Sequence, residues 1–437
     1  MRLSVTFQKM KLLSNNLITA LIVFFINIMT LFCQEVNKCP TKYQSENISE
    51  NGINFIRLTS NSIVTDVKYD SIQSFSENLI RIKLNDKWGF VDNSGTIIIE
   101  PKYDYISDIG ESLASIKFKS KYGFLDKSGK IIIEPKFNYA SSFTEGLAVI
   151  SINNKWGFID KSGKIIIEPK FDYAENFNDG LAKIKLNEKW GFIDKSGELV
   201  IKPSLKEICD FKEGLLPIKS QDKFGFMDML GKISIEPIFD EVGEFSEGYA
   251  KVRLNDKWGF INKSGSIVIK PQFENVHDFK EGLVAVESNY KWGFINKSGE
   301  FSIRPNFDIV RDFSGGLSSI YLNDKWGYIN KTGKLIILPT YDAVFFFDEE
   351  LGIFIIENKH GYLDKSGNII IKPQFDRAYR FNDNIAVVEI KNKFGFIDKT
   401  GKVIITPQFD YAERFTEKLS IIKIQNKFGL LRHQTCE

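Results

Sequence analysis

Histidine is scarce in this 437-residue chain, with 3 residues, and cysteine is limited to 4. His277, His360 and His433 fall at three different phases of the sequence, with no cysteine or acidic residues at ligand spacing around them. That scarcity excludes a zinc site and argues against a catalytic triad. One-signed charge is missing as well. Lys and Arg total 58 against 56 Asp and Glu, a net charge of +2 with no strongly basic stretch, so the electrostatic footprint of a nucleic-acid binder is lacking. Acidic residues are absent before Glu35, where Arg2, Lys9 and Lys11 precede the apolar run LITALIVFFINIMTLFC. This is the pattern of a secretory signal at 1–33, cut after Cys33, with an uncleaved N-terminal anchor or a lipidated cysteine as alternatives. Residues 34–50 then read as a linker, and the expected location is outside the cytoplasm: periplasm, cell surface or extracellular.

What the chain does have is aromatic residues, 14% of the total with 38 Phe, and they repeat. An aromatic or His residue followed by Gly occurs every 34 residues without insertion, from Trp88 to Phe428. The pairs with tryptophan are Trp88–Gly89, Trp156–Gly157, Trp190–Gly191, Trp258–Gly259, Trp292–Gly293 and Trp326–Gly327. Ten of the 12 prolines keep the same beat. A period of this length means stacked supersecondary units that share one core, because 34 residues cannot bury enough surface alone. Residues 51–437 form the array, with 51–84 a degenerate first unit in which Tyr69–Asp70 is in phase, and 418–437 a truncated last one.

Each unit reads as strands. GLAVISI (146–152) alternates, Asn153–Asn154 suits a tight turn with positive φ, and WGFID returns as a second strand. A turn at Gly163 leads to a third strand, KIIIEP, stopped by Pro169. Phe171, Ala174 and Phe177, three apart, predict a single helical or 3₁₀ turn. The Trp-Gly pair is read as a packing device: with apolar residues on both faces the strand lies between layers, and Gly leaves a gap for a neighbouring backbone or ring. Lys155 is expected to cover Trp156 with its aliphatic stem while its ammonium stays in water. Asp160 is expected to cap its turn, since a calcium loop needs a denser acidic ladder.

The motif KWGFIDKSGKIIIEPKFD, with a downstream FxEGLA, resembles the WG (KWG) repeat family of bacterial proteins over residues 51–437. The resemblance implies exported binding or scaffolding arrays and attaches no catalytic residue to the repeat. No catalytic, cofactor-binding or metal-binding residue is therefore assigned, and the chain is read as a non-catalytic scaffold. Function is sought where the repeat varies. The stretch VFFFDEELGIFIIENKH places Phe345, Phe346, Ile353 and Ile355 where other units are mostly polar, and DRAYRF adds Tyr379 and Arg380. These six are the candidate partner-binding residues. Phe345, Phe346, Ile353 and Ile355 could instead merely fill the space left where His360 replaces Trp. A protein partner on this variable rim is the first reading. The alternative is an envelope glycan stacked on exposed aromatics, resting on Tyr105, Tyr139, Tyr173, Tyr379 and Tyr411 if the tryptophans are buried.

The expected fold is all-β: about eleven three-stranded meanders in an open superhelical stack, with a closed propeller-like ring as the alternative. In a straight stack the array ends lie on the order of 100 Å apart, so Cys39 and Cys436 stay unpaired with each other, whereas a ring could join them.

Overall fold

The computed structural model describes residues 44–50, 53–59, 67–207, 209–347 and 350–432. The expectations for the leader, Cys39 and Cys436 lie outside these residues. Part of the expected linker is a strand, Gln44–Glu50, paired antiparallel with Ile53–Thr59. From Val67 onward the chain forms eleven sheets, one per 34-residue unit, here called blades 1 to 11 in chain order.

Blade 3 shows the pattern. A short strand, Tyr139–Ala140, pairs with Leu147–Ile152, which pairs with Lys155–Asp160, which pairs with Ile165–Phe171. Eight of the eleven sheets have all four strands. The expected helical turn is thus corrected to a fourth strand. In blade 4 it is Tyr173–Ala174, whose backbone pairs with Ile184 and Lys185, so Ala174 and Phe177 reach the core from an extended segment. Apolar spacing alone does not separate one turn of helix from a two-residue strand followed by a bend.

The local turns behave as their residues dictate. Asn153 and Asn154 have φ of 49° and 60°, the left-handed pair of a tight hairpin. Asp160 Oδ1 accepts hydrogen bonds from Ser162 N and Oγ and from Lys164 N, at 2.6–3.0 Å. These bonds, the Ser162 hydroxyl first, hold its carboxyl below the usual value. The Trp-Gly pair is explained by the third strand. Trp156 pairs with Phe171 but Phe158 pairs with Ile167, so four steps on one strand oppose two on the other, and the surplus bulges over Gly157. A Cβ on Gly157 would stand 2.4 Å from Ile167 O and 2.7 Å from Pro169 N. Proline suits the bulge because it brings no N–H that needs a ladder partner.

The blades share cores pairwise. Leu147, Val149, Phe158, Ile167 and Phe171 of blade 3 pack with Ala174, Phe177, Ala182, Ile184 and Ile193 of blade 4. Polar clasps accompany each contact: Lys155 Nζ donates to Asp172 Oδ1 at 2.6 Å, and Glu111 of blade 2 accepts from Gly146 N and pairs with Lys161 of blade 3. The ammonium of Lys155 therefore sits on a carboxylate instead of in water alone.

The same contacts join the two ends of the array, which decides its shape. Tyr69 pairs with Phe428 as Phe171 does with Trp156, and Lys427 donates to Asp70 across 357 residues as Lys155 does to Asp172 across 17. Tyr69, Ile72, Ile80, Ile82 and Val91 share a core with Leu419, Ile421 and Leu430. Val67–Asp70 supplies the strand edge that the truncated last unit lacks. The open superhelical stack is thereby overturned: the protein is a closed ring of eleven blades, a β-propeller. Three strands per unit and eleven units favoured an open array only while the fourth strand and the wedge angle between blades were unknown.

Candidate functional site

Along one rim of the ring lies the position that in blade 4 follows the short strand, and it varies from blade to blade: Glu175, Cys209, Gly243, His277, Arg311, Phe345, Tyr379 and Glu413 in blades 4 to 11. Cys209 is exposed with a free thiol. His277 Nδ1 lies 2.7 Å from Asp312 of the next blade. Over blades 9 to 11 the rim sinks into a cavity of about 830 Å³.

Its lining includes Phe345, Ile353, Ile355, Tyr379 and Arg380, five of the six candidates read from the sequence, together with His360, Arg377, Ala378, Val387, Tyr411, Ala412 and Arg414. Phe346 is not in the lining; the Arg311 guanidinium stands 5.8 Å from its ring and 4.6 Å from that of Trp326, which places it at the neighbouring blade contact. Ile353 and Val387 are buried, while Phe345 and Tyr379 are 39% and 41% exposed. Open volume remains beside His360, although Ile353 itself is packed in the core shared with blade 10.

His360 occupies the tryptophan position, paired across the strands with Ile355 and Phe375. Burial holds its imidazole below the ordinary value, against the opposing pull of the Asp376 and Phe375 backbone. Among the described residues, its buried Nδ1 has no hydrogen-bond partner. Glu389, 6% exposed, has one buried oxygen 3.7 Å from Arg377 Nε. Tyr411 donates to Glu413 at 3.1 Å, and burial with that carboxylate pushes its hydroxyl up to about 12.

Two residues that the sequence reading passed over fix the cavity's edge. Tyr328 and Tyr362 stand where blades 1 to 7 and blade 10 carry a core Phe, and their buried hydroxyls donate to Phe345 O and Tyr379 O at 2.5 and 2.7 Å. Each tyrosine ties down the loop carrying the exposed ring. The signal was present, since WGYIN and HGYLD put Tyr in place of the Phe of WGFID in these two units alone. The arrangement, apolar floor and arginine-bearing edge, suits an inserted apolar side chain with polar neighbours.

The repeat units agree in phase with a known family. The WG containing repeat matches eleven consecutive segments, from 59–88 to 394–428. The chain belongs to the WG containing repeat family. No curated protein matches this WG repeat chain. Among solved structures it is similar to a eukaryotic initiation factor, at 12% identity over 76% of this chain and 95% of that one, TM-score 0.39. It is also similar to PorZ, described as a bacterial surface component of the type-IX secretion system of Porphyromonas gingivalis, at 10% identity over 87% and 70%, TM-score 0.23. The extracellular domain of a hybrid two-component system from B. thetaiotaomicron gives 9% identity over 87% and 67%, TM-score 0.23. With every score below 0.5, these likenesses have no bearing on function.

The tryptophans of the WG repeat are half-buried, not enclosed between layers. Cover comes from a strand neighbour rather than from the preceding lysine: Lys185 Nζ lies 5.9 Å from the Trp190 ring centre, and Lys83 is placed likewise over Trp88.

Proposed function

We propose that this WG repeat ring is an exported, non-catalytic scaffold that docks a protein partner in the cavity over blades 9 to 11. The carrying observation is the coincidence of that cavity with the place where the repeat departs most from itself. His360 replaces the bulk of Trp, Ile355 stands where most other units carry a charged or polar residue, and buried Tyr328 and Tyr362 brace the loops around the opening. A volume of about 830 Å³ holds one or more large side chains of a partner, and buried apolar anchors carry most of the energy of such contacts. Export is proposed on the N-terminal basic and apolar pattern.

The experiment is a binding screen of the purified mature chain against cell-envelope proteins. His360→Trp restores the residue the repeat uses elsewhere and fills the cavity without asking the fold for anything new. A partner held by the parent and by Glu175→Ala, but released by His360→Trp, supports the docking site. Equal retention by all three refutes it.

A further inference from the structure

A second feature lies on the same rim in a different arc. In blades 2 to 4 the short strand begins with Tyr105, Tyr139 and Tyr173, and these alternate with Tyr122, Trp156 and Trp190 of the second long strand. The six rings form one unbroken row, with successive centroids 6.1, 5.5, 5.0, 4.9 and 5.8 Å apart. The row ends where Glu207 takes the tyrosine position in blade 5. Tyr105, Tyr139 and Tyr173 are each 39% exposed.

The middle of the row is open. Lys117 lies 5.6 Å over Tyr122 and Lys185 lies 5.9 Å over Trp190, but the equivalent residue beside Trp156 is Ser151. Ser151 is buried and short, and among the described residues no ammonium lies over the Tyr139, Trp156 and Tyr173 rings. The phenolic hydroxyls of Tyr105, Tyr122, Tyr139 and Tyr173 make no hydrogen bond to the described residues. They lie near one another: burial first, then the neighbouring tyrosines, raise the Tyr139 hydroxyl above its usual value.

We propose that this row binds a neutral, extended, β-linked oligosaccharide, with successive sugar rings against Tyr139, Trp156 and Tyr173. The chemistry that singles out a saccharide is the combination of π surfaces and hydroxyls in one line. A pyranose with equatorial hydroxyls carries C–H groups on its faces and hydroxyls at its edge, so the faces meet the rings while the edge meets the phenols. The ring spacing, 4.9–5.0 Å at the centre, is close to the length of one such sugar unit. A charged glycan is not favoured, because among the described residues no ammonium lies over the central rings and Lys185, at one end of the row, is paired with Glu188 at 2.9 Å. The site is independent of the cavity over blades 9 to 11.

The test is calorimetric titration of the full mature chain with cellohexaose and chitohexaose, followed also by tryptophan fluorescence. Two variants bear on it. Tyr139→Ala with Tyr173→Ala removes the outer platforms. Ser151→Lys places over Trp156 the lysine that neighbouring blades already carry, which keeps the fold's own choice at that position. Saturable binding by the parent, weakened about tenfold or more in both variants and unchanged in Tyr290→Ala, an exposed tyrosine outside both sites, is the expected result. No saturable binding of either sugar, or binding that both variants retain in full, overturns the proposal.

Discussion

Replacing Gly157 with alanine adds one methyl group at the point where the third strand of blade 3 arches over the second. The new Cβ would lie 2.4 Å from Ile167 O, 2.7 Å from Pro169 N and 2.9 Å from Glu168 C. All three are backbone atoms of the bulge, so no side chain can swing aside, and the strand itself must move. Overpacking of this kind costs about 1–3 kcal/mol, and the absence of a flexible neighbour puts the expectation at the upper end. An opposing effect sharpens the test. The φ of Gly157 lies outside the left-handed region, so without the clash alanine would stabilise the chain by about 0.4–1 kcal/mol through the unfolded state. The two accounts therefore predict opposite signs. Urea unfolding followed by circular dichroism reads the midpoint directly, whereas melting moves only about 2–4 °C per kcal/mol even in chains about half this size. A midpoint lowered with unchanged slope is expected. A midpoint unchanged or raised refutes the claim that glycine is there to admit the proline bulge.

Tyr69→Ala removes a ring that is 1% exposed and bridges the first and last blades; loss of about 3–5 kcal/mol is expected, with a larger radius of gyration by small-angle scattering if the ring opens. A variant as stable and compact as the parent would count against closure through this strand. Acid should loosen the blades. The carboxyls of Asp160 and Asp410 are held low, by Ser162 and by Lys393 respectively as the first cause. Their contribution is fully present above the ordinary value of 3.8 and is lost as pH falls through the lowered folded values. His360, whose imidazole is held low by burial, adds its own decline below about pH 6.5, so the test is made in His360→Trp: stability measured from pH 7 downward should there stay level to about pH 4 and then fall, and a decline centred near pH 6 would point to other groups. Tyr362→Phe should leave the ring folded but release the loop of Tyr379, detectable as faster amide exchange at Tyr379 and its neighbours; equal exchange would remove the bracing role.

The local alphabet of this protein was legible from residue types. Paired asparagines set the hairpin, and the aspartate and glycine set the next turn, because each rests on contacts within a few residues. The candidate cavity was largely legible too, since five of its lining residues stand out against the repeat. Other features needed the third dimension. Whether Phe171, Ala174 and Phe177 lie on a helical turn or an extended edge depends on the strand beside them, and the role of Tyr328 and Tyr362 appears only when their hydroxyls meet carbonyls 17 residues on. Closure is the clearest case. The phase of Tyr69–Asp70 was readable, but sequence period fixes only what each blade touches next. How far one blade rotates against another depends on how the shared core between them packs, and only the sum of eleven such rotations brings Phe428 back to Tyr69.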